Sequence, residues 1–256
     1  MNAITALFDR KKDNVLSVFF TAGFPALEDT AAILDQLERS GADMIEIGMP
    51  FSDPLADGPV IQHSSEVALR NGMSIRYLFS QLAKVKRSKP GVPLILMGYL
   101  NPVLRYGVED FCRDAASAGI SGLILPDLPL EEYLSGYQPV FDRYGLKNIF
   151  LITPQTTGER IRRIDEVSDA FIYIVSSAGT TGVRNGIEGE KEDYFKRIRD
   201  MGLRNPRLIG FGISDNKSFR KACEYAHGAI IGSAFIRALQ DKVPVAEFIK
   251  EVKRTG

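Results

Sequence analysis

The chain has little cysteine, little histidine and no surplus of either charge. Its 256 residues carry 32 basic and 32 acidic side chains, for a formal net charge of zero. Binding to nucleic acid draws on excess Lys and Arg to release counterions from phosphates, and no dense basic run occurs here. The two cysteines, Cys112 and Cys223, are too few for a disulfide framework or a four-ligand zinc site. A reduced, cytoplasmic setting is therefore expected. The two histidines, His63 and His227, do not stand at ligand spacing with Asp or Glu, so no metal site is expected. No apolar run approaches the roughly 20 residues that cross a bilayer. The N-terminal segment, MNAITALFDRKKDN, lacks the basic-then-apolar pattern of a secretory signal. Gly-x-Ser-x-Gly and Walker A motifs are also missing.

What is present is a regular alternation. Short apolar runs occur at 15–22, 44–49, 93–99, 122–126, 148–153, 170–176, 207–212 and 229–234. Several lack polar alternation, as strands buried on both faces do. Helical periodicity occupies 30–40, 77–87, 111–118, 133–144, 157–167, 191–201, 214–225 and 245–253, with Ser214 and Asp215 as an N-cap signal. Eight alternating units in 256 residues predict one (β/α)₈ TIM barrel domain over 1–256, in preference to an open doubly wound sheet. Residues 1–13 are expected to add a helix before the first strand. The charged, Gly-containing stretch 183–192 is expected to be a loop.

In such a barrel the chemistry sits where the strands end. Gly210-Phe211-Gly212-Ile213-Ser214 follows the seventh run, Gly232-Ser233 the eighth, and Ser177-Ala178-Gly179-Thr180-Thr181-Gly182 the sixth. Small residues there let backbone N–H groups and a helix N-terminus hold a phosphate. The Gly210-x-Gly212 pair only half matches a dinucleotide fingerprint, since the third glycine is missing. Glu46 interrupts an apolar strand, where a carboxylate is costly to bury. It is read as a catalytic acid in the barrel mouth, against an outward-facing or ion-paired alternative. Asp57 lies in a Pro- and Gly-rich loop, and Asp53 and Asp127 are further acidic candidates. No Lys stands within or at the end of a predicted strand, which disfavours Schiff-base chemistry. Carboxylate acid–base work on a phosphorylated small molecule remains.

The segment Glu46-Ile47-Gly48-Met49-Pro50-Phe51-Ser52-Asp53-Pro54-Leu55-Ala56-Asp57-Gly58-Pro59 resembles the signature of the tryptophan synthase alpha subunit family. The loops Ala178–Gly182, Gly210–Ser214 and Gly232-Ser233 fit it, and the likeness runs from Phe19-Phe20-Thr21-Ala22-Gly23 to the last helix. The resemblance implies a lyase of tryptophan biosynthesis that cleaves indole-3-glycerol phosphate to indole and glyceraldehyde 3-phosphate. It implies Glu46 and Asp57 as the catalytic pair, and Phe19, Ile61, Met97 and Tyr173 around the indole. Gly182, Gly212, Gly232 and Ser233 would hold the phosphate, and Thr181 would position Asp57. Asp53 and its neighbours would face a beta subunit in an alpha2beta2 complex. Pyridoxal phosphate would sit on that partner, and this chain would need no cofactor. The setting would be the cytoplasm, or a plastid stroma for a plant or algal chain. One departure is Ser177, where many family members have Arg. The alternatives are a stand-alone indole-releasing lyase, a non-catalytic phosphosugar-sensing activator subunit, and another phosphosugar epimerase or isomerase.

Overall fold

The computed structural model describes residues 1–87, 89, 91–176, 187–210 and 212–254. Nine strand segments occur in chain order: β1 (Val15–Thr21), β2 (Met44–Gly48), β3 (Leu94–Met97), β4 (Ile120–Ile124), β5 (Lys147–Asn148), β6 (Phe150–Ile152), β7 (Ile172–Val175), β8 (Arg207–Gly210) and β9 (Gly228–Ile231). All pairings are parallel, in the order β5-β4-β3-β2-β1-β9-β8-β7-β6. The two ends of this sheet, β5 and β6, are halves of one strand separated by Ile149. The first half pairs with β4 and the second with β7, and the Ile149 N–H bonds Leu123 O at 2.9 Å. Eight strands thus form a nearly closed barrel with helices between them, as the alternation predicted.

The strands hold because both faces are apolar and covered. Every residue of β1, β2, β3, β4, β7, β8 and β9 is buried. The expected leading helix spans Ala3–Arg10. Its buried Ile4, Leu7 and Phe8 pack under the barrel, with Ile4 Cδ1 beside Gly122 of β4 and the Phe8 ring 6.0 Å from Phe171. The Asn2 amide fastens this helix to Ser121 O at 2.8 Å and Gly145 O at 2.9 Å.

Several sequence expectations need correction. Pro59–Arg70, Leu100–Tyr106 and Ser233–Gln240 are helices that periodicity does not reveal. The first buries Ser64, Ser65 and Ala68, so its inward stripe reads as polar. The second contains Pro102, which is tolerated in a first turn whose N–H groups lack intrahelical partners. The third consumes the end of the run 229–234, since β9 stops at Ile231. The expected loop 183–192 is helical from Ile187 onward, within Ile187–Asp200; its first residues lie outside the described ones. Lys147 does lie in a strand, contrary to the expectation for lysine, but its ammonium leaves the barrel to pair with Asp169. Asp215, not Ser214, caps the helix Asn216–Cys223, in a reciprocal capping box with Ser218.

Candidate active site

Strand β2 aims Glu46 into the barrel. In the parallel register Glu46 stands opposite Phe19, and Ser17 lies one pleat deeper on the same face of β1. Glu46 is fully buried. Its Oε1 accepts a hydrogen bond from the Ser17 hydroxyl at 2.7 Å, and its Oε2 has no partner among the described residues. Burial pushes the Glu46 carboxyl up to about 7, against the smaller downward pull of Ser17. Glu46 therefore does not face outward, and it has no ion pair among the described residues.

The loop after β2 brings Asp57 over the same opening. The Tyr99 hydroxyl pins it, donating to Asp57 Oδ2 at 3.0 Å and accepting the Ala56 N–H at 2.9 Å. Phe51 packs its ring 5.3 Å from that of Tyr99. The Gln62 amide, from the first turn of Pro59–Arg70, donates to Asp57 O at 2.9 Å. Burial raises the Asp57 carboxyl to about 6, with the Tyr99 hydrogen bond opposing. Two buried acids thus titrate about one unit apart, just below and near neutrality, with no cation paired to either among the described residues.

Between them lies a cavity of about 300 Å³. Phe19, Glu46, Asp57, Ile61, Met97, Tyr173, Gly212, Gly232 and Ser233 all line it. Large rings sit over glycines to shape it. A Cβ on Gly48 would meet Phe19 Cζ at 2.5 Å, and one on Gly210 would meet the Tyr173 hydroxyl oxygen at 2.1 Å. Any larger residue at either position would drive an aromatic ring into the cavity. Thr181, Gly182 and the rest of the loop 177–182 fall outside the described residues, as does Phe211.

The opposite end of the cavity is polar. Ser214, Gly232, Ser233, Ala234 and Arg237 line it. Helix Ser233–Gln240 opens here with no side-chain cap, whereas the neighbouring helix Asn216–Cys223 has its N-terminus occupied by Asp215. First-turn N–H groups with no side-chain cap among the described residues, together with the positive helix end, favour an anion at Ser233. Arg237, one turn further along, adds a positive charge that sequence reasoning missed. Its signal in the sequence is the four-residue spacing from Ser233, the same helical face, but that helix starts inside an apolar run that reads as strand.

The remaining candidates are elsewhere. Asp127 accepts the Leu100 N–H with both carboxylate oxygens, at 2.9 and 3.0 Å, and so caps Leu100–Tyr106. Asp53 and His63 line an outer groove, and His227 Nδ1 accepts the Arg207 N–H at 3.2 Å. No group of three or more His, Cys, Asp or Glu suited to a metal occurs among the described residues. No helix among them is long and apolar enough to cross a membrane.

The chain resembles known proteins over nearly its full length. The sequence model of the family "Tryptophan synthase alpha chain" matches residues 6–254. The tryptophan synthase alpha chain of Christiangramia forsetii is 56% identical over 241 residues, covering 93% of this chain and 94% of that one. That of Flavobacterium johnsoniae is 52% identical, covering 99% and 100%. The crystal structure of the alpha chain from Legionella pneumophila superposes with a TM-score of 0.85 at 32% identity, covering 98% of this chain and 96% of its own. The aminoacrylate-bound tryptophan synthase of Mycobacterium tuberculosis gives a TM-score of 0.85 at 31% identity, covering 98% of both chains. With the buried acid, the second acid above it and the uncapped helix end in the same barrel mouth, the chain belongs to the tryptophan synthase alpha chain family.

Proposed function

We propose that the chain is a lyase that cleaves indole-3-glycerol phosphate to indole and glyceraldehyde 3-phosphate. The observation that carries this reading is Glu46, buried in the cavity wall with one carboxyl oxygen bound and the other unpartnered. The phosphate sits at the N-terminus of Ser233–Gln240, beside Gly212 and Gly232, with Arg237 at the rim. The indole lies between Phe19, Ile61, Met97 and Tyr173. Thr181 and Gly182 would complete the phosphate end and position Asp57.

The bond to be broken joins ring carbon 3 to a carbinol carbon. Indole leaves only after carbon 3 is protonated. Glu46, held protonated near neutrality by burial, delivers that proton. Positive charge then develops on the ring N–H, which donates to the Asp57 carboxylate. The Glu46 carboxylate takes the proton of the carbinol hydroxyl as the carbon–carbon bond breaks. Its electron pair returns to the ring, the carbinol becomes the aldehyde, and Glu46 is again an acid. One proton has moved from oxygen to carbon, and the step needs no cofactor on this chain.

The indole is passed to a beta subunit that carries pyridoxal phosphate, in an alpha2beta2 complex in the cytoplasm. The groove of Phe51, Asp53, Leu55, Pro59, His63 and Leu69 suits that contact, since Leu55 is 88% exposed beside apolar neighbours. The test is to incubate the chain with indole-3-glycerol phosphate, alone and with a beta subunit, and to follow indole. Release that rises with the partner supports the reading. No indole in either arm overturns it in favour of a phosphosugar-sensing subunit.

A further inference from the structure

We propose that Ser17 is a positioning residue whose hydroxyl anchors Glu46 Oε1 and thereby commits Oε2 as the single oxygen that gives and takes the proton. This rests on the lyase reading above. An isolated carboxyl group turns about its last torsion with little preference, so either oxygen can hold the proton. Half of those arrangements would point the acidic hydrogen away from the substrate. Here the symmetry is broken. Ser17 and Glu46 are both fully buried, and the Ser17 Oγ–H donates to Oε1 at 2.7 Å. An oxygen that accepts an O–H bond keeps carbonyl character, so the proton resides on Oε2, which no described residue contacts by hydrogen bond.

Ser17 does not line the cavity, so it acts through Glu46 and not on the substrate. The register explains the arrangement. Ser17 pairs with Met44 of β2 and Ile230 of β9, one pleat beneath the Phe19–Glu46 level. Among the described residues, the other ionisable groups lining the cavity with Glu46 are Asp57, Tyr173 and Arg237. Tyr173 is held neutral, its hydroxyl raised well above the ordinary value by burial and then by Glu46 and Asp57. Ser17 also favours the charged carboxylate, so it sets the balance between the acid and base halves of the cycle as well as the orientation.

In the proposed cycle the free enzyme needs Glu46 protonated and Asp57 ionised. The kcat/KM profile then rises through about 6 and falls through about 7. Ser17→Ala removes one hydroxyl and leaves the strand apolar. The Glu46 carboxyl, followed by carbon-13 NMR in the full chain and assigned with Glu46→Gln, then titrates at higher pH than in the parent. The falling limb of kcat/KM moves the same way, and kcat drops on the order of tenfold with KM nearly unchanged. Ser17→Thr restores the hydroxyl and brings both quantities back. The Ser17→Cys chain, close to serine in size but with a weaker donor, falls between parent and Ala variant. Unchanged titration and kcat in Ser17→Ala overturn the proposal, and so does a Ser17→Thr chain that stays folded yet remains as impaired as the Ala variant. The NMR titration needs no turnover. A chain inactive on indole-3-glycerol phosphate with the expected titration shift would therefore count against the reaction, whereas an active chain without the shift counts against Ser17.

Discussion

Buried carboxylates occur in two settings in this molecule, and they are treated in opposite ways. In the helical layer, Asp165 is saturated. Its Oδ1 accepts the Asn205 N–H and side-chain amide at 3.0 and 2.8 Å, and its Oδ2 accepts the Arg204 N–H at 2.9 Å. Glu38 likewise gives one oxygen to the Arg87 guanidinium and the other to the Lys89 N–H at 3.0 Å. Inside the barrel, Glu46 has the Ser17 hydroxyl alone, and its second oxygen is bare among the described residues. A saturated carboxylate is part of the scaffold, because its donors balance the cost of leaving water. A half-satisfied one keeps that cost, and the cost emerges as a raised affinity for protons. Among the described residues, Glu46 is the fully buried carboxylate with an unpartnered oxygen, and acid chemistry is maintained there.

The largest effect is expected at the barrel carboxylate. Glu46→Gln should lower kcat for indole release by roughly a thousandfold while substrate still binds, because the acid–base group is lost. Near-normal turnover in single-turnover assays would assign the proton transfer to another group. Next comes the scaffold side. Asp165→Ala strands the Asn205 and Arg204 donors and should reduce unfolding free energy by about 3 kcal/mol in urea, with kcat per folded chain retained. A comparable loss of kcat at full stability would show the two settings to be coupled.

A third experiment uses pH to read the unfinished carboxylate directly. Glu46 rises from 4.5 to about 7 on folding. The folded chain therefore holds this proton while the unfolded chain releases it, and stability from this group is lost as pH climbs from 4.5 through about 7. Relative to its effect at pH 4, Glu46→Gln should gain up to roughly 3 kcal/mol by pH 8.5, seen as a later urea midpoint. A gain that does not vary with pH would mean that Glu46 is not desolvated in solution. The smallest effect is expected at the rim. Arg237→Ala should raise KM for the phosphorylated substrate roughly tenfold with kcat kept, since an exposed cation adds modest attraction to a site built on backbone N–H groups. An unchanged KM would leave the phosphate to the helix end alone.

The barrel was legible because its strands are nearly continuous apolar runs at regular spacing, which only a sheet covered on both faces requires. Glu46 was legible for the converse reason, as a carboxylate inside such a run. The helix Pro59–Arg70 was not, because it turns serines and an alanine inward: Ser64 Oγ meets Thr21 Oγ1 at 2.7 Å. Tyr99 and Ser17, which hold the two acids, were equally hidden. Each lies more than 25 residues from its partner, at 42 and 29 residues respectively, and nothing in local pattern registers a contact of that length. Arg237 went unseen because its helix begins inside an apolar run that reads as strand throughout.

Local periodicity and residue type are enough for the eight βα units, the leading helix, the glycine-bearing strand ends and the acids Glu46 and Asp57. What those acids can do is set by the closed barrel. It set Ser17 beneath one carboxyl and Tyr99 beside the other, placed Asp127 elsewhere as a helix cap, and kept Asp165 and Glu38 for the scaffold. The proton affinity of a carboxylate depends on which donors surround it and how much water reaches it, and both depend on chain segments that meet only when the barrel closes.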